Sequence, residues 1–180
     1  MSNILTALQA VTADAQTSFG ALSLAQINWK PNAESWSVGQ CLEHLIKTNQ
    51  QFFPEFDKIA HGGRANAFWE NWSPLSSFLG NFLIKSMKSD EKKFKVPSPD
   101  IAPPSSVAAD IVEQFARHQA ELAGKVRALG GADLTKTIVT SPFMKLMTYK
   151  LGDALTITVV HEQRHLRQAK RVMETAGFPR

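Results

Sequence analysis

The sequence predicts an all-α protein, a four-helix bundle with one short helix inserted between its second and third helices. Two observations carry this. Four segments repeat apolar residues at three- and four-residue steps, the mark of a helix with one buried stripe, and almost nothing alternates with the period of two that a half-buried strand needs. The same four segments are bounded by helix start and stop signals. At 180 residues the chain suits one domain, residues 1–180.

Helix one is expected over about residues 3–25, where Ile4, Leu8, Val11, Ala15, Phe19 and Leu22 form a stripe. The run "NWKPNAESWS" breaks the period with Pro31 and Asn32 and reads as a loop. Helix two opens at Ser37, because Ser37 and Gln40 make an S-x-x-Q capping box and Trp36 before the cap can staple onto Cys41. Val38, Cys41, Leu42, Leu45, Ile46, Phe52, Phe53 and Phe56 hold phase toward Ala60. Pro54 is expected to kink it, and His61, Gly62 and Gly63 to end it.

Residues 64–106 read as an insertion, bounded by a Gly-Gly pair and by "VPSPDIAPPSS". Within it Ser73 and Pro74 suit a cap and first turn, and Leu75, Phe78, Leu79, Phe82 and Leu83 give a short amphipathic helix. That helix either closes one end of the core or covers a site or a dimer surface. The charged run "KSDEKKFK" behind it is expected in solvent. Helix three begins after Ser105 or Ser106, with Val107, Ile111, Phe115, His118, Leu122, Val126 and Leu129 on one side and Gly130 and Gly131 as its stop. "LTKTIVTSPFMKLMTYK" is a long crossing loop with some extended character. Helix four runs from about Leu151 to Ala176, stopped by Gly177 and Pro179.

Hydrophobic residues at 43% and charged residues at 20% fit a globular protein rather than a disordered or fibrous one. No run approaches the roughly 20 apolar residues of a membrane span, and "MSNILTALQA" lacks the basic start and apolar run of a signal peptide. Cys41 is the only cysteine, which excludes an internal disulfide and fits a reducing compartment. A cytoplasmic protein without a membrane partner is expected. A net charge of +4 is too mild to argue for nucleic acid. The local basic group Arg164, Arg167, Lys170 and Arg171 reads as a solvated face near a helix C-terminus, without the interleaved aromatic residues a nucleic-acid surface uses.

Chemistry concentrates in "VVHEQRHLRQ", where His161, Glu162 and His165 spell H-E-x-x-H. Residues four apart share a helix face, so two imidazoles there can bind one ion. A zinc peptidase would need a third ligand downstream. Only fifteen residues follow His165, none is histidine, and the sole carboxylate among them is Glu174, so the peptidase reading is poor. Upstream, His44 on helix two is the best candidate third ligand. Two ordinary core histidines at 161 and 165 would each need a hydrogen-bond partner in an apolar bundle, a cost a shared metal removes; the alternative is a pair of histidines at a wet helix surface. Glu162 could accept a proton beside the ion or face elsewhere, since adjacent helical residues diverge by about 100°. Cys41, three residues before His44, is more readily explained by packing than as a ligand. His118 faces the core as a pocket liner or a hydrogen-bonded core histidine.

"WSVGQCLEHL" at 36–45, followed far downstream by "VVHEQRHLRQ", resembles the DinB-like (DinB/YfiT-like) superfamily of metalloenzymes. There a Trp-Ser pair opens the second helix, a histidine follows within two turns, and the last helix carries H-x-x-x-H. The resemblance implies a four-helix bundle with crossed, up-down-down-up connections, frequent homodimers, and one divalent metal held by His44, His161 and His165. The long insertion departs from the simplest members. Three neutral imidazoles leave an ion its charge and an open position, the arrangement of a catalytic site. Imidazole suits several metals, with zinc or nickel preferred. The resemblance further implies a thiol-dependent transferase acting on a small-molecule substrate, with a low-molecular-weight thiol as partner. A metal-dependent hydrolase and a non-catalytic metal-binding stress-response module are the alternatives.

Overall fold

The computed structural model describes residues 1–62, 76–88, 99–144 and 147–180. Its helices are α1 (Ser2–Phe19), α2 (Leu24–Asn28), α3 (Val38–Gln50), α4 (Phe53–Ala60), α5 (Ser76–Lys88), α6 (Ile111–Ala128) and α7 (Leu151–Glu174). Strands β1 (Ile138–Thr140) and β2 (Thr148–Lys150) pair antiparallel with Val139 opposite Tyr149. This hairpin is the extended part of the expected crossing loop. No described helix is long and apolar enough to cross a membrane.

Three expected helices have different limits, each for a local reason. Helix one stops at Phe19, because Ser23 and Gln26 form a second capping box that starts α2. That S-x-x-Q signature lies inside an apparently continuous apolar stripe. Helix two divides after Gln50, and Pro54 sits in the first turn of α4, where a missing backbone N–H costs nothing. Gly62 follows with a φ of +68°, the left-handed conformation that glycine adopts without a side-chain clash. Helix three starts at Ile111 rather than after Ser106. The Asn28 side chain holds Val107 outside the helix, accepting from its N–H at 2.8 Å and donating to its carbonyl at 3.0 Å.

The inserted helix α5 extends to Lys88, past the expected end at Leu83. The proposed cap at Ser73 and Pro74, Leu75, and the charged run from Ser89 onward lie outside the described residues, as do the side chains of Phe78 and Leu79. α5 packs along α7 and against β2. At Gly80 a β-carbon would stand 2.7 Å from an Asp153 carboxylate oxygen, so the absent side chain lets α5 approach the start of α7.

The long helices do not pack in chain order. α1 lies chiefly against α6 and α7, and α3 likewise chiefly against α6 and α7. Around the bundle the order is therefore α1, α6, α3, α7, and two of the three connections cross it.

The core has two apolar clusters. One contains Leu8, Phe52, Phe56, Leu122, Leu155 and Val159; the other contains Val11, Cys41, Leu45, Phe115, Leu166 and Ala169. On α3, buried Thr48 and Asn49 lie between Leu45 and the Phe52 that follows the helix. Between Phe115 and Leu122 on α6 lie buried His118 and Gln119, and between Val159 and Leu166 on α7 lie buried Glu162 and His165. A polar layer thus crosses the bundle between its two apolar halves.

Candidate metal centre

His44 comes from α3, and His161 and His165 from successive turns of α7, which packs directly on α3. One nitrogen from each ring lies within 4.8 Å of the other two. His161 Nε2 and His165 Nε2 stand 3.0 Å apart. The ring centroids of His44 are 5.2 Å from His161 and 4.8 Å from His165.

The surroundings fix how these rings present themselves. His44 Nδ1 lies 2.8 Å from the Ile101 carbonyl oxygen, which can only accept, so Nδ1 donates and the neutral ring keeps its lone pair on Nε2. Such an outward hydrogen bond is the usual device for orienting a metal-ligating histidine. Trp36 completes the frame: its ring is 4.8 Å from His44 and stacks on His165 at 5.5 Å. The capping box fixes the residue after Trp36, with Ser37 N donating to Gln40 Oε1 and Gln40 N to Ser37 Oγ, both at 3.1 Å.

The proline-rich run after the insertion is part of this frame. Along one face of α3, Gln40 Nε2 donates to the Pro104 carbonyl at 2.7 Å, His44 to that of Ile101, and Lys47 Nζ to that of Ala102 at 3.1 Å. A segment that reads as a boundary loop is a ledge of carbonyls matched to positions 40, 44 and 47. Its only signal in sequence is that a proline-rich run has carbonyls with no ladder to join.

Burial keeps all three rings uncharged. It pushes His165 down to about 3, with the charge of His44 adding to the effect. It holds His161 well below the ordinary range, helped by His165, His44 and Arg164. His44 is lowered by burial against the opposing bond to Ile101. Neutral imidazole is the ligating form. Two nitrogens about 2.1 Å from a common ion at tetrahedral angles stand roughly 3.4 Å apart, close to the 3.0 Å seen between His161 and His165. The donor set and its geometry fit a divalent ion.

Glu162 is oriented differently. It is fully buried, and its Oε1 accepts from Asn49 Nδ2 at 2.7 Å on α3 and from Gln119 Nε2 at 2.5 Å on α6. Burial raises it to about 7, against the pull of those two bonds. No carboxylate of the described residues joins the three-histidine group. Cys41 is also outside it, fully buried in the apolar cluster, with burial pushing its thiol up to about 12. His118 is buried on the ring of Phe53 at 5.4 Å, and burial lowers it to about 4. The basic group on α7 is not a uniformly solvated face: Arg164 is half-buried and donates to the Ser86 carbonyl at 3.4 Å, and Lys170 pairs with Asp14 at 2.6 Å.

Comparison with known proteins places this fold. No curated protein matches the chain. Among solved structures, YfiT from Bacillus subtilis, described as a probable metal-dependent hydrolase with an unusual four-helix bundle topology, matches with a TM-score of 0.60 and 14% identity, over 99% of this chain and 88% of that one. The crossed helix order seen here accords with that likeness of fold. The family description of the DinB superfamily matches residues 7–169, and with nearly the whole chain so covered, the protein belongs to the DinB superfamily.

Proposed function

We propose that His44, His161 and His165 hold one divalent ion, zinc or nickel, and that the protein is a metal-dependent enzyme of small molecules, most simply a transferase that uses a low-molecular-weight thiol. One observation carries this reading: three neutral imidazoles converge at the edge of the polar layer with no described carboxylate among them. When bound, such an ion supplies a Lewis-acid centre that acidifies a thiol or a water at its open position.

The chain's own residues do the rest. Burial keeps the rings uncharged, the Ile101 carbonyl turns the His44 lone pair inward, and Trp36 braces His44 and His165. One carboxylate oxygen of Glu162 takes both Asn49 and Gln119, a tie between α3, α6 and α7. Attack by water gains from a positioned base, whereas a thiol, once its proton has passed to solvent, is a nucleophile without one. This difference favours thiol transfer. Hydrolysis is the second reading, favoured by the description of YfiT, and Glu162 Oε2, which has no partner among the described residues, is the oxygen that could act as its base.

The test is to load the protein with zinc or nickel, add a small thiol and an alkylating electrophile, and follow conjugate formation by mass spectrometry. Conjugation that disappears in His44→Ala supports transfer. Ester or amide cleavage without conjugation selects hydrolysis, and neither reaction in fully loaded protein selects a non-catalytic metal-binding module.

A further inference from the structure

The helical threonines that are shielded from solvent separate into two kinds. Thr12, Thr156 and Thr158, half-buried or buried, turn the hydroxyl back along their own helix and donate to the carbonyl four residues earlier, at 2.9, 2.8 and 3.1 Å. This is the usual way for a threonine inside a helix to satisfy its hydroxyl. Thr48 on α3 does not follow them. It is buried, and its Oγ1 turns not to the carbonyl of His44 but to the ring, 3.4 Å from Nε2. That nitrogen carries the lone pair, because Nδ1 donates to Ile101. The contact is long, since a hydroxyl in a hydrogen bond to oxygen commonly stands about 2.7–2.8 Å from its partner. Among the described residues Thr48 Oγ1 has no other partner.

An ion on His44 Nε2 takes up that lone pair and leaves the Thr48 hydroxyl beside it without an acceptor. A buried hydroxyl in that state is costly, and rings that have given their lone pairs to an ion offer it nothing. The group that can satisfy it comes from outside the chain, at the ion's open position. From this juxtaposition we infer that Thr48 touches substrate: its hydroxyl donates to the sulfur of a thiolate held at the three-histidine centre, the thiol proton having left to solvent. The inference rests on the proposed function and adds to it a contact that neither the three ligands nor Glu162 supplies. It also accounts for the hydroxyl being kept off the His44 carbonyl, where it would be spent on the helix.

Wild type, Thr48→Val and Thr48→Ser are loaded with zinc or with cobalt(II), whose charge-transfer absorption reports on a bound sulfur. Each is titrated with mercaptoethanol by calorimetry and by absorption, with metal content and thermal unfolding measured alongside. Valine keeps the shape of the side chain and loses the donor; serine keeps the donor. Thr48→Val is expected to weaken mercaptoethanol binding about tenfold, the size of one hydrogen bond to a charged acceptor, with metal content unchanged. Its cobalt charge-transfer band should move to lower energy, because a sulfur relieved of a hydrogen bond gives up an electron more readily. Thr48→Ser should restore both. If Thr48→Val does not fold, Thr48→Ala takes its place in the comparison with Thr48→Ser. Affinity and band unchanged in a folded, metal-replete variant without the hydroxyl overturn the inference alone. Loss of metal from that variant overturns it too, by putting the hydroxyl on the ion itself. Wild type that holds metal but no thiol overturns the thiol reading, and wild type that holds no metal overturns the metal reading, each taking the inference with it.

Discussion

Two polar groupings share the middle of the bundle and differ in how their hydrogen-bonding capacity is used. Glu162 gives one carboxylate oxygen to two amides from two other helices, and so acts as a knot inside the protein. One residue away, His161 turns its Nε2 toward that of His165, and His44 brings a third ring whose outer nitrogen is already engaged by Ile101. In the first grouping one carboxylate oxygen takes both donors, while Glu162 Oε2 and Gln119 Oε1 have no partner among the described residues; the second brings together three ring nitrogens that one cation can join. Burial alone therefore does not distinguish a structural polar cluster from a ligand site. The direction of the lone pairs does.

The sharpest way to break this comparison is to remove a ring. His44→Ala and His165→Ala should each lower zinc affinity by more than the 10–100-fold typical of losing a merely supporting residue, as read by metal analysis after dialysis against a weak chelator. Retention by both variants would mean that these histidines are not the ligands.

Breaking the knot should instead cost stability. Glu162→Ala leaves the buried Asn49 and Gln119 amides without an acceptor, at about 1–3 kcal/mol each, so urea unfolding should show a loss of roughly 2–6 kcal/mol while the folded fraction keeps its zinc. A folded Glu162→Gln variant that binds no zinc would instead assign the glutamate to the metal centre.

The two groupings also respond oppositely to pH in metal-free protein. The unfolded chain takes up protons below the ordinary histidine value of 6.5 that His165, at about 3 when folded, refuses; stability is lost as pH falls through that window. Glu162 is raised from 4.5 to about 7, so its contribution is full at the acid end and is lost as pH rises between those values. Glu162→Gln should remove only the second trend, leaving urea midpoints that climb more steeply from acid to neutral pH. A parallel profile in variant and wild type would show that Glu162 keeps an ordinary titration.

The smallest effect is expected from the brace. Trp36→Ala leaves all three ligands in place but frees His44 and His165 to turn, so zinc affinity should fall by about tenfold, the lower end for a supporting residue. An unchanged affinity would mean that the aromatic contacts are packing alone.

Much of this was legible before any coordinates. The capping box at Ser37 and Gln40 fixes the phase of α3, and phase is what carries His44 to the inner face; the four-residue step from His161 to His165 fixes the other pair. What could not be read depends on residues distant in the chain. Asn49 and Gln119 meet Glu162 across 113 and 43 positions, and Ile101 meets His44 across 57. No local pattern encodes such pairings. Asn28 shortens α6 by the same kind of long-range contact, over 79 positions. Arg164 was hidden for another reason: a run of basic residues looks alike whether all of it meets water or one member is drawn inward by the carbonyl of a neighbouring helix.

The crossed order of the helices has a consequence for assembly. With the first and last long helices packed together, many stabilising contacts join distant parts of the chain, so folding should be slower than in an up-and-down bundle of equal length. The centre itself joins position 44 to positions 161 and 165, and it has no partial version in a chain still being synthesised. On the proposed reading an ion would find all three rings together only after the last helix has docked, as the final step of maturation rather than its nucleus.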